Sequence, residues 1–118
     1  MARYLLFAYS DCKDPSREDE FNDWYNNMHV PDMMEVPGMI SATRWVSAHE
    51  NLEGEQRKYL AMYELETDDL EKFDASVRER GMRTMKEGRF SDLPVFDPPN
   101  IPRVYRQIME KKEAKQPD

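Results

Sequence analysis

Two rhythms of hydrophobic and polar positions alternate along this chain. Residues 3 to 10, RYLLFAYS, are mostly aromatic or aliphatic and stop at DCKDPS, which reads as a buried strand ended by turn residues. The rhythm then lengthens. Asp14 and Pro15 supply a cap and a first-turn proline, acidic residues follow, and Phe21, Trp24, Tyr25 and Met28 recur at helical spacing. Pro31 restricts Val30 and lacks an N–H, so this helix is expected to end near Asn26 to His29. A short second turn, PDMMEV, then closes before Pro37-Gly38. Strand-like content returns in MISATRWVSAHE, residues 39 to 50, and the polar NLEGEQRK suits a hairpin connection. In KYLAMYELET, residues 58 to 67, Tyr59, Ala61, Tyr63 and Leu65 fall on one face and Leu60, Met62 and Glu64 on the other. Thr67 or Asp68 caps the next helix, whose buried stripe is Leu70, Phe73 and Val77, with Gly81 as its end or a bend. Residues 82 to 100 read as an irregular arm or lid, and IPRVYRQIME, residues 101 to 110, as a last strand entered at Pro102.

The order strand, helix, strand, strand, helix, strand predicts an α+β fold: a ferredoxin-like, four-stranded antiparallel sheet with both helices on one face. Nothing in the chain covers the other face. Its apolar side chains require a second sheet, so a homodimer through the sheet faces is the physical expectation.

Composition narrows the partners. At 118 residues the chain is expected to form a single domain over 1–110, followed by a solvated tail at 111–118 whose EKKEAK run mixes both charges. Hydrophobic residues make up 39% and charged residues 35%, a balance that favours burial between subunits. A net charge of -7 argues against nucleic acid as a partner, since phosphate contacts need a basic face. The N-terminal apolar run is too short to span a bilayer, so no membrane association is expected. Cys12 has no second cysteine to pair with, which fits a reducing, cytoplasmic setting, and without an adjacent basic cluster its thiol reads as inert.

The chemistry concentrates where the first helix breaks. Asn22, Tyr25, Asn26 and His29 share one helical stripe, beside Trp24, Met28 and Asp32. An imidazole there exchanges a proton near neutrality, a phenol donates to a carbonyl oxygen and an amide holds a substrate oxygen. The competing reading is structural. His29 instead bonds the carbonyls freed at a helix end, Trp24 and Met28 are core, and Asp32 complements a helix dipole. His49 lies in a polar run and reads as a surface residue. Only two histidines, twenty residues apart, argue against a metal site, and four glycines without phosphate-loop spacing argue against a nucleotide loop.

The stretch EFNDWYNNMHVPDMMEVPGMISATRW resembles the EthD-like branch of the dimeric α+β barrel superfamily, with its Trp-Tyr helix end, His-x-Pro segment, Pro-Gly turn and arginine-bearing strand. That resemblance implies ferredoxin-like subunits paired sheet to sheet, each with a pocket between its sheet and its own helices. Such barrels include cofactor-free monooxygenases, lactone isomerases, polyketide cyclases, decarboxylases, dehydratases and a haem-degrading branch, whose Asn, Trp and His arrangement is not matched here. By position, His29 is the acid–base candidate, with Asp32 and Asn22 as orienting partners. On the sheet side Tyr9, Arg44, Tyr59 and Tyr63 are chosen from strand location alone. The expectation is a cofactor-independent lyase, isomerase or cyclase acting on a small aromatic or hydrophobic oxygenated compound. His29, Tyr63 and Arg44 are its catalytic groups, and Asn22, Trp24, Tyr25, Asn26, Asp32, Tyr9 and Tyr59 its binding groups. The alternatives are a monooxygenase of the same fold and a non-catalytic binder of an apolar metabolite.

Overall fold

A computed structural model describes residues 1–50, 57–97 and 103–115. Strand β1 (Ala2–Cys12) lies between β3 (Tyr59–Thr67) and an edge shared by β4 (Pro94–Asp97) and β5 (Arg103–Arg106). Strand β2 (Met39–Val46) forms the opposite edge, and all pairings are antiparallel. The ferredoxin-like α+β fold is thus as expected, with one difference. The fourth position holds two short strands, β4 against residues 9 to 12 and β5 against residues 4 to 7. The sequence between them, 98–102, lies outside the described residues, and its prolines lack the N–H that a ladder needs. The hairpin expected at NLEGEQ falls on 51–56, which is likewise outside them.

Pleating sorts the strands as the alternation required. Leu6, Ser10, Tyr59, Ala61, Tyr63 and Leu65 are buried toward the helices, where they meet Phe21, Tyr25, Met33 and Phe73. The other face carries Leu5, Phe7, Tyr9, Leu60, Met62 and Trp45, and no helix packs on it among the described residues.

Three expectations are corrected. The first helix does not end at Asn26 to His29. Following a one-turn 3-10 segment capped by Asp14, α1 (Glu18–Trp24) passes into a five-residue π segment (Tyr25–His29) and on into α2 (Val30–Met33). The Val30 N–H donates to the carbonyl of Tyr25, five residues back, so the chain takes one wide turn just ahead of Pro31. The wider turn accommodates the proline ring that would collide with a carbonyl in a regular α-helix. Nor is there a long arm from residue 82. Helix α3 (Leu70–Lys86) continues straight through Gly81 and β4 occupies 94–97, leaving only a short connection. The α3 cap is Asp69, whose carboxylate accepts the Lys72 N–H, because Thr67 still belongs to β3 and uses its hydroxyl on the Asp69 backbone.

Beyond β5, residues 107 to 115 are exposed and form no helix or strand. Among the described residues no helix is long and apolar enough to cross a membrane.

The Pro37-Gly38 turn sets where β2 begins. Gly38 has φ +101°, and a Cβ there would come within 2.8 Å of the Glu66 carbonyl oxygen, while its own carbonyl accepts the Glu66 N–H at 2.9 Å. Gly38→Ala is therefore expected to destabilise the fold by about 1–3 kcal/mol through positive-φ strain and backbone crowding. Chemical denaturation of the variant checks this, and an unchanged midpoint would contradict it.

Candidate active site

The π segment turns its side chains onto the helix-facing side of the sheet. Tyr25 is fully buried, with the Phe21 ring edge-on at 5.7 Å. His29 lies one turn on, edge-on to Tyr25 at 5.0 Å and stacked on the Trp24 indole at 4.8 Å with the planes 19° apart. Phe90 at 5.8 Å, itself 36% exposed, and Phe96 at 6.0 Å add two more rings around the imidazole. The indole is fixed by its Nε1–H, which donates to the Arg89 carbonyl at 2.8 Å. Arg89 in turn grips both carboxylate oxygens of Asp32 at 2.9 Å each, so the connection after α3 is clamped onto the first helix.

Asp32 therefore directs its carboxylate to Arg89, and it reaches His29 only through its field. Among the described residues none hydrogen-bonds the imidazole, main-chain carbonyls included. Burial is the leading cause that pushes the His29 pKa down to about 4; the positive charge of Arg44 adds to the shift and Asp32 opposes it. The ring is neutral at physiological pH.

Arg44 rises from β2 on the same face, opposite Ala61 and between the Tyr59 and Tyr63 positions of β3. Its guanidinium carbon lies 4.1 Å from the Tyr25 ring centre, 5.3 Å from that of Tyr59 and 5.6 Å from that of Phe21. These faces supply cation–π attraction in place of water. One nitrogen, Nη1, donates to the Asn26 side-chain oxygen at 2.8 Å. The other two, Nε and Nη2, are inaccessible to solvent and have no partner among the described residues. Burial lowers the Arg44 pKa, since an enclosed cation is costly.

Of the six other buried atoms in that condition, four lie on this side of the sheet: Ser10 Oγ, Asn22 Oδ1, Tyr25 OH and Tyr63 OH have no well-formed hydrogen bond among the described residues, and Arg57 Nε and Asp74 Oδ1 are the other two. The Tyr25 hydroxyl nevertheless lies near enough to those of Tyr63 and Ser10 for weak, poorly aligned hydrogen bonding, and Arg44 acts on both tyrosines. Burial pushes Tyr25 up to about 12 and Tyr63 well above its ordinary value, so both stay protonated as donors. Asn22 donates weakly to the Tyr59 hydroxyl at 3.3 Å.

The structure thus gathers Asn22, Trp24, Tyr25, Asn26, His29, Arg44, Tyr59 and Tyr63. It does not gather Tyr9. Ser10 and Leu6 point to the helices, so Tyr9 points to the opposite face, where it stacks on Phe7 at 6.4 Å and lies 5.8 Å from the Arg103 guanidinium. Sequence reasoning did not single out Ser10, Arg89, Phe90 or Phe96. The two phenylalanines stand in a proline-rich stretch read as an arm, and an aromatic pair there was the available signal. Among the described residues no three His, Cys, Asp or Glu side chains are grouped to hold a metal ion.

No protein-family model matches the sequence, and no curated protein matches it. Solved structures match its fold over nearly the whole chain. HapK from Hahella chejuensis is 14% identical with a TM-score of 0.62, the match covering 95% of this chain and 99% of that one. An ethyl tert-butyl ether (EthD) family protein from Bacillus halodurans C-125 is 15% identical with a TM-score of 0.55, covering 92% and 100%. A "putative monooxygenase" from Shewanella loihica PV-4 is 17% identical with a TM-score of 0.56, covering 92% and 97%. The chain therefore shares the ferredoxin-like α+β fold of these proteins, and its structural neighbours include an EthD family protein, in line with the resemblance.

The depressed pKa has a consequence for stability. As pH falls from about 6.5 to about 4, the unfolded chain takes up a proton on His29 that the folded chain refuses. Stability held above that window is lost across it, by roughly 3 kcal/mol at ~1.4 kcal/mol per pH unit, and the loss levels off below it. His29→Gln is expected to flatten this part of the profile in urea titrations between pH 7 and 4.5; parallel profiles for variant and parent would refute the assignment.

Proposed function

We propose that this protein is a cofactor-independent enzyme that moves a proton on a small aromatic or otherwise hydrophobic, oxygenated compound, in a lyase, isomerase or cyclase reaction. What supports the reading is one feature, the set of buried polar atoms near His29 that lack a well-formed hydrogen bond among the described residues, in otherwise aromatic surroundings. A folded interior leaves few such groups unpaired, because each forfeits its hydrogen bonds to water. A substrate oxygen at this point restores those bonds. Arg44 and the protonated Tyr25 and Tyr63 hydroxyls stabilise the negative charge that develops on it, the preorganised arrangement that lowers such barriers most. His29, neutral and without a hydrogen bond to another described residue, takes the proton from the adjacent carbon and returns it. Trp24, Phe90 and Phe96 exclude water and face the substrate ring.

Isotope exchange follows the proton itself and tests the reading whatever product forms. Aryl ketones and 1,3-dicarbonyl compounds incubated with the protein in D2O are expected to exchange the carbon-bound proton faster than in buffer, followed by proton NMR. His29→Gln should reduce the acceleration by about 10²–10⁴-fold while the protein remains folded. Exchange that is independent of His29 would remove it from the reaction.

A second reading is an oxygen-using, cofactor-free monooxygenase of the same fold. It is favoured by the names of two structural neighbours, the Shewanella protein and a "putative antibiotic biosynthesis monooxygenase" from Bordetella bronchiseptica. Oxygen uptake on phenols distinguishes it from the first reading.

The proposal includes a homodimer in a cytoplasmic setting. The sheet face without helices presents Trp45, 56% exposed, and Tyr105, 54% exposed, around the more central Phe7, Leu60 and Met62. Pairing two such faces buries this surface. Leu60→Glu is expected to yield a monomer by light scattering after size exclusion, and a wild type that is itself monomeric at micromolar concentration would sink the dimer.

A further inference from the structure

Arginines elsewhere in the fold show what the free edge of Arg44 is shaped to hold. Arg89 uses Nε and Nη2 to grip the two oxygens of Asp32 at 2.9 Å each, and Arg17 uses the same two nitrogens on Glu20 at 2.8 Å each. That edge of a guanidinium presents two parallel N–H groups spaced for a planar, two-oxygen anion. In Arg44 it is the same pair, Nε and Nη2, that is buried and unpaired, while Nη1 is occupied by Asn26. Among the described residues no carboxylate comes within ion-pair distance of it. The guanidinium is half-buried, and the two nitrogens on its inner edge forgo their hydrogen bonds to water, a cost that the aromatic faces offset only in part.

We propose that Arg44 is a substrate-carboxylate site, so that the compound bound beside His29 is an aromatic acid, its carboxylate held by the Nε and Nη2 fork and its ring by the aromatic enclosure. This rests on the reading of the site as a substrate pocket and deepens it by naming the substrate class; with the fork occupied by the carboxylate, the developing oxyanion falls to the Tyr25 and Tyr63 hydroxyls and Arg44 acts on it through its charge alone. Strand β2 is an edge of the sheet, and Asn26 at the surface holds the guanidinium from the solvent side, so the acid enters between β2 and the π segment. Asn26 is a positioning residue in this arrangement. It orients the guanidinium plane and leaves the fork free. A bound carboxylate also cancels the positive field that Arg44 exerts on His29, which makes the imidazole a better base only when the acid is in place.

Three probes test the assignment against the purified protein at pH 7 by calorimetry: 2-naphthoate, the isosteric neutral 2-naphthamide, and benzoylacetone, a largely uncharged 1,3-dicarbonyl with no carboxylate. The wild type is expected to bind 2-naphthoate at least tenfold more tightly than either of the others. Arg44→Met should abolish that preference, and Arg44→Lys, which keeps the charge and loses the fork, should retain only part of it. Asn26→Ala keeps the fork and should preserve the preference with weaker overall binding, which guards against a misfolded Arg44 variant. Equal affinity for the amide, tighter binding of benzoylacetone, no measurable binding of naphthoate, or a preference that survives in Arg44→Met each overturns the proposal. Its fate is separable from that of the proton-transfer reading: a carboxylate preference without His29-dependent exchange leaves a binding site, and exchange without the preference leaves an enzyme for neutral substrates.

Discussion

A positive charge held among aromatic rings is the constraint around which the rest of this structure is arranged. Arg44 lies half-buried on an edge strand, with its guanidinium beside three aromatic rings and one nitrogen held by the Asn26 amide. Enclosing a guanidinium without a carboxylate is unfavourable, so the surrounding fold has to be stable enough to sustain it. The stability comes from the continuous apolar layer of Leu6, Phe21, Tyr63, Leu65 and Phe73 between sheet and helices.

The π segment is the second half of that arrangement. A regular helix over 18–33 would meet the Pro31 ring at a main-chain carbonyl, and a helix ending at Asn26 would leave its last carbonyls open. One wide turn avoids both and keeps the backbone helical through Met33. It also carries Tyr25, Asn26 and His29 together on the side that faces the sheet. Local accommodation of a proline and construction of a candidate site are thus the same structural event.

The enclosure around His29 is closed from a distance. Trp24 is anchored to the Arg89 carbonyl, Arg89 is clamped on Asp32, and the segment so held brings Phe90 and Phe96 against the imidazole. Asp32 acts on the site mainly by fixing this connection. Its own charge partly counteracts the burial of His29, and the balance still favours the neutral ring.

Much of this was legible in the residues. The alternation of Tyr59, Ala61, Tyr63 and Leu65, the helical spacing of Phe21 and Tyr25, and the Pro37-Gly38 turn determined the strands, the helices and their order, because period and turn chemistry are local properties. The same locality placed Asn22, Tyr25, Asn26 and His29 on one stripe. What residue order could not decide was which strand face each side chain joined and which distant residues completed the site. Tyr9 turned away because register across β1 assigned Ser10 to the interior, and Phe90, Phe96 and Arg89 arrived through a connection whose path depends on the Asp32 ion pair. That no carboxylate among the described residues pairs with Arg44 is the clearest case, since which residues become neighbours is a property of three-dimensional packing and leaves no mark in the order of residues.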